Sequence, residues 1–285
     1  MDPSFKSFQT QRAQYSSALK RFLDSTRDFE IITSVSRDYG EPRVPSTAEV
    51  LYVLDSSFNP PTLAHSHIAC SSVLENRGQP SRILLLLATQ NADKPSKPAS
   101  FEDRLIMMQL CAEEALAFLE SEIPATELPV IDIGVTKKPY FVDKAAAIET
   151  ANVYPRSTQQ VHLTGYDTLI RIFNTKYYPP EHTLAPLEPF LSKHKLRVTV
   201  RPDDGWGSKA EQEAYLADLA QGGREREGAK REWAQQIRLV EGRKVEQAVS
   251  STKAREATKA NPQDLDWLVP GKVRDFILSE QPYQE

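Results

Sequence analysis

Cysteine is scarce in this chain: Cys70 and Cys111 are the only two, with no CxxC spacing and no ladder of further cysteines. That excludes a disulfide framework. Both positions fall in apolar helical context, so they read as reduced, buried thiols. The N-terminus has no apolar run of the signal-peptide kind, and no stretch approaches the roughly 18 apolar residues of a membrane span. The expectation is a soluble protein of cytosol or nucleus with no membrane partner. An excess of one charge is missing too: 35 Lys and Arg stand against 39 Asp and Glu, a net charge of −4. Without a basic footprint, nucleic acid is not an expected partner. No cluster of carboxylates resembles a protein-held metal site, and no internal repeat is present.

What is present is enough apolar material for a sizeable core, 40% of 285 residues. The length suits one large domain or two small ones. The organising stretch is Val50–Cys70, VLYVLDSSFNPPTLAHSHIAC. It reads as a buried strand (Val50–Leu54), a polar and proline-rich turn (Ser56, Ser57, Asn59, Pro60, Pro61, Thr62), then a helix from Leu63 with His65 in its first turn. A strand feeding a helix through such a turn points backbone N–H groups and the positive end of the helix dipole at one place, as a phosphate site requires.

Further apolar runs follow in alternation with helical patterns: Ile83–Ala88, Pro129–Ile133, Val161–Thr164, Leu196–Val200 and Ile237–Val240. Strand-then-helix order predicts a parallel, doubly wound α/β sheet, whose ligands sit beyond the carboxyl ends of the strands. Ser56–Ser57, the loop holding Lys94 and Lys97, Gly165–Asp167 and Arg201 all fall at such ends. Residues 1–48 read as an extension carrying a short helix (Tyr15, Ala18, Leu19, Phe22, Leu23) and an apolar patch at Phe29–Ile32, closed by Pro42 and Pro45. Residues 205–236 are rich in charge of both signs and read as a solvated helical insertion that offers a surface to a protein partner. His67 and His162 read as structural, the latter as core.

A second informative stretch, Val249–Arg255 (VSSTKAR), opens a helix with Ser250, Ser251 and Thr252 at its cap and Lys253 and Arg255 in its first turns. Cations there oppose the helix dipole, but together with hydroxyls and free N–H groups they suit a polyphosphate.

Together these motifs resemble the nucleotidyltransferase superfamily that includes the nicotinamide mononucleotide adenylyltransferases. The likeness is carried by Ser56-Ser57-Phe58-Asn59-Pro60, Thr62-Leu63-Ala64-His65, Gly165-x-Asp167, Val249–Arg255 and Trp267–Ile277, in order over roughly residues 50–280. It is strongest to a divergent fungal branch related to the yeast promoter-of-filamentation protein. The resemblance implies a Rossmann-like doubly wound parallel sheet over residues 49–285 with a C-terminal helical segment. It also implies transfer of AMP from ATP to nicotinamide mononucleotide, forming NAD and pyrophosphate. His65, Thr62 and Arg255 would act in catalysis. Backbone groups of Ser57 and Phe58 would hold the adenylate. Lys94 or Lys97, Ser251, Thr252, Lys253 and Arg255 would take the phosphates, and Gly165, Asp167 and Arg201 would complete the ATP site. Mg²⁺ would arrive on ATP.

Two departures stand out. Ser56 replaces the family's first-turn glycine, so its backbone must avoid φ > 0 or accept strain. The family's Trp–Glu pattern for the pyridine ring is absent, and the region reads Thr136-Lys137-Lys138-Pro139-Tyr140-Phe141, leaving Tyr140 or Phe141 to stack on an acceptor or to serve as core. Alternatives on the same fold are an ATP-binding or ATP-hydrolysing regulator, or transfer to nicotinic acid mononucleotide or phosphopantetheine.

Overall fold

The computed structural model describes residues 3–37 (side chains from 8 onward), 48–90, 99–202, 205–242 and 249–283. Lys94, Lys97, Pro42 and Pro45 lie outside the described residues. Seven strands form one sheet: β1 (Phe29–Val35), β2 (Val50–Asp55), β3 (Ser81–Ala88), β4 (Val130–Thr136), β5 (Gln159–Gly165), β6 (Lys195–Val200) and β7 (Ile237–Glu241). Their spatial order is β1-β4-β3-β2-β5-β6-β7, with β1 antiparallel and all other pairs parallel. Each expected strand is there, and for a physical reason. The run Ile83–Ala88 is buried on both faces, as a parallel sheet covered by helices on both sides requires.

The strand at β1 differs from expectation. Phe29–Ile32 is not an isolated patch but the start of an edge strand, and its register slips between Ile31 and Thr33. Past the slip the alternation is offset, so Val35, which strict alternation would place with Phe29 and Ile31, packs instead with the larger core cluster across the sheet. Helix α1 (Pro3–Asp24) lies outside this edge, burying Tyr15, Leu19 and Phe22.

Helices α2 (Leu63–Leu74) and α3 (Phe101–Glu122) join α1 on one face. On that face they meet the C-terminal α7 (Ser251–Ala260) and α8 (Gly271–Glu280). Helices α4 (Phe141–Thr150), α5 (Tyr166–Ile172) and α6 (Lys209–Gln221) serve the other face. Arg12 ties the first face together, reaching Asp103 of α3 at 2.7 Å and Glu280 of α8 at 2.6 Å.

The charge-rich segment 205–236 is not solvated all round. Gln212, Tyr215, Leu216 and Leu219 recur at helical spacing along the inner side of α6, and Gln212, Leu219 and Trp233 are buried. The narrow apolar stripe was hidden among eleven or so charged neighbours, because a three-to-four-residue repeat needs few positions to anchor a helix.

Strand order reverses between β2 and β5, the topological switch point at which such sheets bind ligands. The pairing of β2 with β5 ends at Val53 and His162, whereas β2–β3 continues to Asp55 and Leu86 and β5–β6 to Gly165 and Thr199. The two central strands therefore part at their carboxyl ends and open a crevice. At the other end of the sheet, Asp132 is satisfied by Arg82 (2.7 and 2.8 Å), Tyr154 (2.9 Å) and Ser34 (2.6 Å), a closed structural network.

Candidate nucleotide-binding site

The turn after β2 holds an unusual backbone. Phe58 has φ 45°, a conformation that costs a bulky residue about 1–3 kcal/mol and persists only where its surroundings fix it. Two features fix it. The Phe58 ring is fully buried, 5.2 Å from His65, and the preceding carbonyl of Ser57 accepts from Arg104 of α3 through Nε (2.8 Å) and Nη2. Arg104 is wholly buried, its guanidinium 4.8 Å over the Phe101 ring, and burial pushes its pKa down to about 10. Sequence reasoning missed it, since an arginine inside an apolar helical stripe gives no sign of which way it points. Ser56, where the glycine was expected, is not among the residues at positive φ. The positive φ falls two residues on, at Phe58, and Ser56 continues the sheet by donating its N–H to the Leu86 carbonyl.

Thr62 caps α2, and His65 at the third helical position turns back so that Nδ1 accepts the Thr62 N–H at 3.0 Å. An accepting Nδ1 leaves the proton on Nε2, which lies 2.9 Å from Ser56 Oγ. Burial, with a smaller contribution from Arg201, pushes the His65 pKa down to about 4. The ring is therefore neutral at pH 7, with one N–H donor aimed at the turn.

Nearly two hundred residues later, α7 docks on the same turn. Ser250 caps it, accepting from the Lys253 N–H at 3.2 Å. Ser251 Oγ donates to the Pro60 carbonyl (2.8 Å), and Arg255 Nη1 donates to the Asn59 carbonyl (2.7 Å). Arg255 Nη2 also reaches Thr252 Oγ1 at 3.2 Å. Ala254 and Ala257 are buried beneath this helix, while Thr252 and Lys253 face solvent. Two helix N-termini and the Arg255 guanidinium thus meet at one turn, with Lys253 on the same first turn of α7, an arrangement fitted to anionic oxygens.

Across the crevice stand Gly165, Asp167 and Arg201. A side chain at Gly165 would sit 2.6 Å from Asp167 Oδ1, so the glycine serves close approach. Asp167 is not the cap of α5, which is Gly165. Its carboxylate folds back to within 4.0 Å of Arg201 Nε. Both Asp167 and Arg201 remain part-exposed, and Arg201 is near enough to bias His65.

The residues considered for the acceptor divide. Phe141 packs against His162 and Phe190, each at 4.9 Å, as a core aromatic, whereas Tyr140 is 38% exposed. Lys137 and Lys138 are turned away from the crevice: Lys137 donates to the Leu23 and Ser25 carbonyls, and Lys138 pairs with Asp28. One further pair went unread in the sequence. Asp55, at the carboxyl end of β2 on the α4 face, accepts from buried Lys144 at 2.5 Å. His162 is buried as core, as expected, and burial pushes its pKa down to about 3. The thiols of Cys70 and Cys111 are buried and raised to about 12 and about 11.

Solved structures of Plasmodium falciparum nicotinic acid mononucleotide adenylyltransferase match this chain at 13% identity. One is complexed with NaAD (TM-score 0.52) and the other with APC (TM-score 0.53), and each match covers 82% of this chain and 97% of theirs. The fold is the one those structures share, an α/β sheet of Rossmann-like form. No family model matches the chain. A Schizosaccharomyces pombe protein named "Putative nicotinamide mononucleotide adenylyltransferase" is 32% identical over 276 residues, 96% of this chain and 98% of its own. The chain belongs to the nicotinamide mononucleotide adenylyltransferase family.

Proposed function

We propose that the chain transfers the adenylyl group of ATP to nicotinamide mononucleotide, giving NAD and pyrophosphate. The observation that carries the reading is the docking of Ser251 and Arg255 onto the Pro60 and Asn59 carbonyls. It draws two motifs 190 residues apart into one anion-binding cup above His65. The acceptor's 5′-phosphate oxygen attacks the α-phosphorus, forming one P–O bond as the bond to the β-phosphate oxygen breaks. Such transfer needs positioning and neutralisation more than a covalent partner. The Nε2–H of neutral His65 turns from Ser56 Oγ to a nonbridging α-phosphate oxygen. Arg255, Lys253, Thr252 and the N-terminus of α7 hold the departing pyrophosphate. Asp167 and Arg201 bound the nucleoside side.

Among the described residues no group of three His, Cys, Asp or Glu could hold a metal ion. The residues of the cup are hydroxyls, N–H groups and cations, a donor set that fits phosphates bringing their own Mg²⁺. The ion, carried on ATP, would add charge neutralisation of the phosphates.

The acceptor would enter from the α4 side, past Asp55, Lys144 and Tyr140. The S. pombe relative carries the name of a nicotinamide mononucleotide enzyme, while the P. falciparum structures are of a nicotinic acid mononucleotide enzyme. The amide is favoured by the higher identity and coverage of the former. Competition between the two mononucleotides for limiting ATP, with products weighed by mass spectrometry, tests the choice. NAD in excess supports it; a predominance of the acid dinucleotide overturns it. ATP turnover with no dinucleotide favours a regulator.

A further inference from the structure

We propose that Gln212, from the charge-rich segment, is a positioning residue that holds Arg201 in the nucleotide site. The inference rests on the reading of Arg201 as part of that site. Gln212 lies on the inner stripe of α6 and is fully buried, with 0% of its surface exposed. Its carboxamide engages both backbone groups of Arg201: Oε1 accepts the Arg201 N–H at 3.1 Å, and Nε2 donates to the Arg201 carbonyl at 2.8 Å. Nε2 also donates to the Gly207 carbonyl at 3.2 Å. A primary amide is the side chain that copies a strand's own donor and acceptor side by side, so Gln212 extends the β6 backbone by one step beyond its last sheet residue, Val200. Arg201 has left the sheet here. Its side chain runs over Gly165 with Nε 4.0 Å from Asp167, starting from the backbone that the Gln212 amide holds. The glycine leaves room for that path, and Gln212 sets its starting point.

This gives residues 205–236 a role in the reaction. The helix is not only a surface; its buried amide determines where a cation of the active crevice stands. A long flexible side chain gains most from a fixed Cα, because the positioning entropy is then settled before the ligand arrives.

A double-mutant cycle on kcat/KM for ATP, with melting temperatures alongside, tests it. Gln212→Met keeps length and volume while removing every hydrogen bond, and Gln212→Ala is the second variant should methionine disturb the fold. Each should lower kcat/KM about tenfold, mainly through KM for ATP, as expected when a pair of buried bonds is lost and the cation strays. In an Arg201→Ala background the same change at Gln212 should cost less than about twofold, because there is no guanidinium left to position. Full additivity of the two changes, or wild-type kcat/KM in both Gln212 variants, overturns the inference. Wild-type activity in Arg201→Ala alone overturns instead the placement of Arg201 in the nucleotide site, so the two failures are distinguishable.

Discussion

Replacing His65 by alanine separates two roles that the structure gives to one ring. As the third residue of α2, His65 satisfies the Thr62 N–H, one of the helix's otherwise unpaired donors. Losing a cap of this kind costs about 1 kcal/mol, within the range of 0.5–2. For a chain of this size that lowers the melting temperature by roughly 2–4 °C. As the only N–H donor that a neutral imidazole offers, Nε2–H contributes to the transition state on the scale of a lost oxyanion donor, about 100- to 1,000-fold in kcat. The assay pairs thermal unfolding with initial rates of NAD formation at saturating ATP. His65→Gln is the control: its amide can still accept from Thr62 and still donate toward the turn, so stability should return fully and rate in part. The reasoning fails if His65→Ala unfolds at a slightly lower temperature yet keeps kcat within threefold of wild type. The ring would then be a helix cap and nothing more.

Arg255→Ala should weaken ATP binding about tenfold while leaving mononucleotide binding within twofold, since its charge stands in the cup that takes the polyphosphate. Equal weakening in titration calorimetry contradicts the clamp. Arg104→Met should lower unfolding free energy by about 1–3 kcal/mol, because the Ser57 carbonyl loses its two guanidinium donors. An unchanged urea midpoint contradicts that. Stability should also fall with pH. The folded pKa values of His65 (about 4) and His162 (about 3) lie below the ordinary value near 6.5. Between these limits the unfolded chain binds protons that the folded one does not. The stability held by the neutral rings is thus complete above pH 6.5 and is lost as pH drops toward the folded values. Urea midpoints that stay level from pH 7 to pH 5 refute this.

The strands were legible because buried parallel strands leave unbroken apolar runs such as Ile83–Ala88, which no alternation disguises. The cup was legible because its two halves are local: a capped helix start is written in the four neighbouring residues Thr62–His65 and again in the six of Ser250–Arg255. What escaped notice depends on tertiary direction. Edge strand β1 pairs with a segment a hundred residues away, and its short mixed pattern states neither partner nor register. Arg104, Lys144 and Gln212 are polar residues on faces otherwise apolar. From sequence alone each is as easily a surface residue as a buried one, and only the fold brings Ser57, Asp55 and Arg201 against them. Phe141 shows the reverse: an aromatic beside a crevice that the packing with Phe190 and His162 turns inward.

The most direct test combines the purified chain with ATP, Mg²⁺ and nicotinamide mononucleotide, following NAD and pyrophosphate together. Equal amounts of both, formed only with all three components and lost in Arg255→Ala at ATP concentrations near the wild-type KM, are the predicted result. Tight ATP binding with no dinucleotide from this or any other mononucleotide would contradict adenylyl transfer and leave a nucleotide-binding protein built on the same cup.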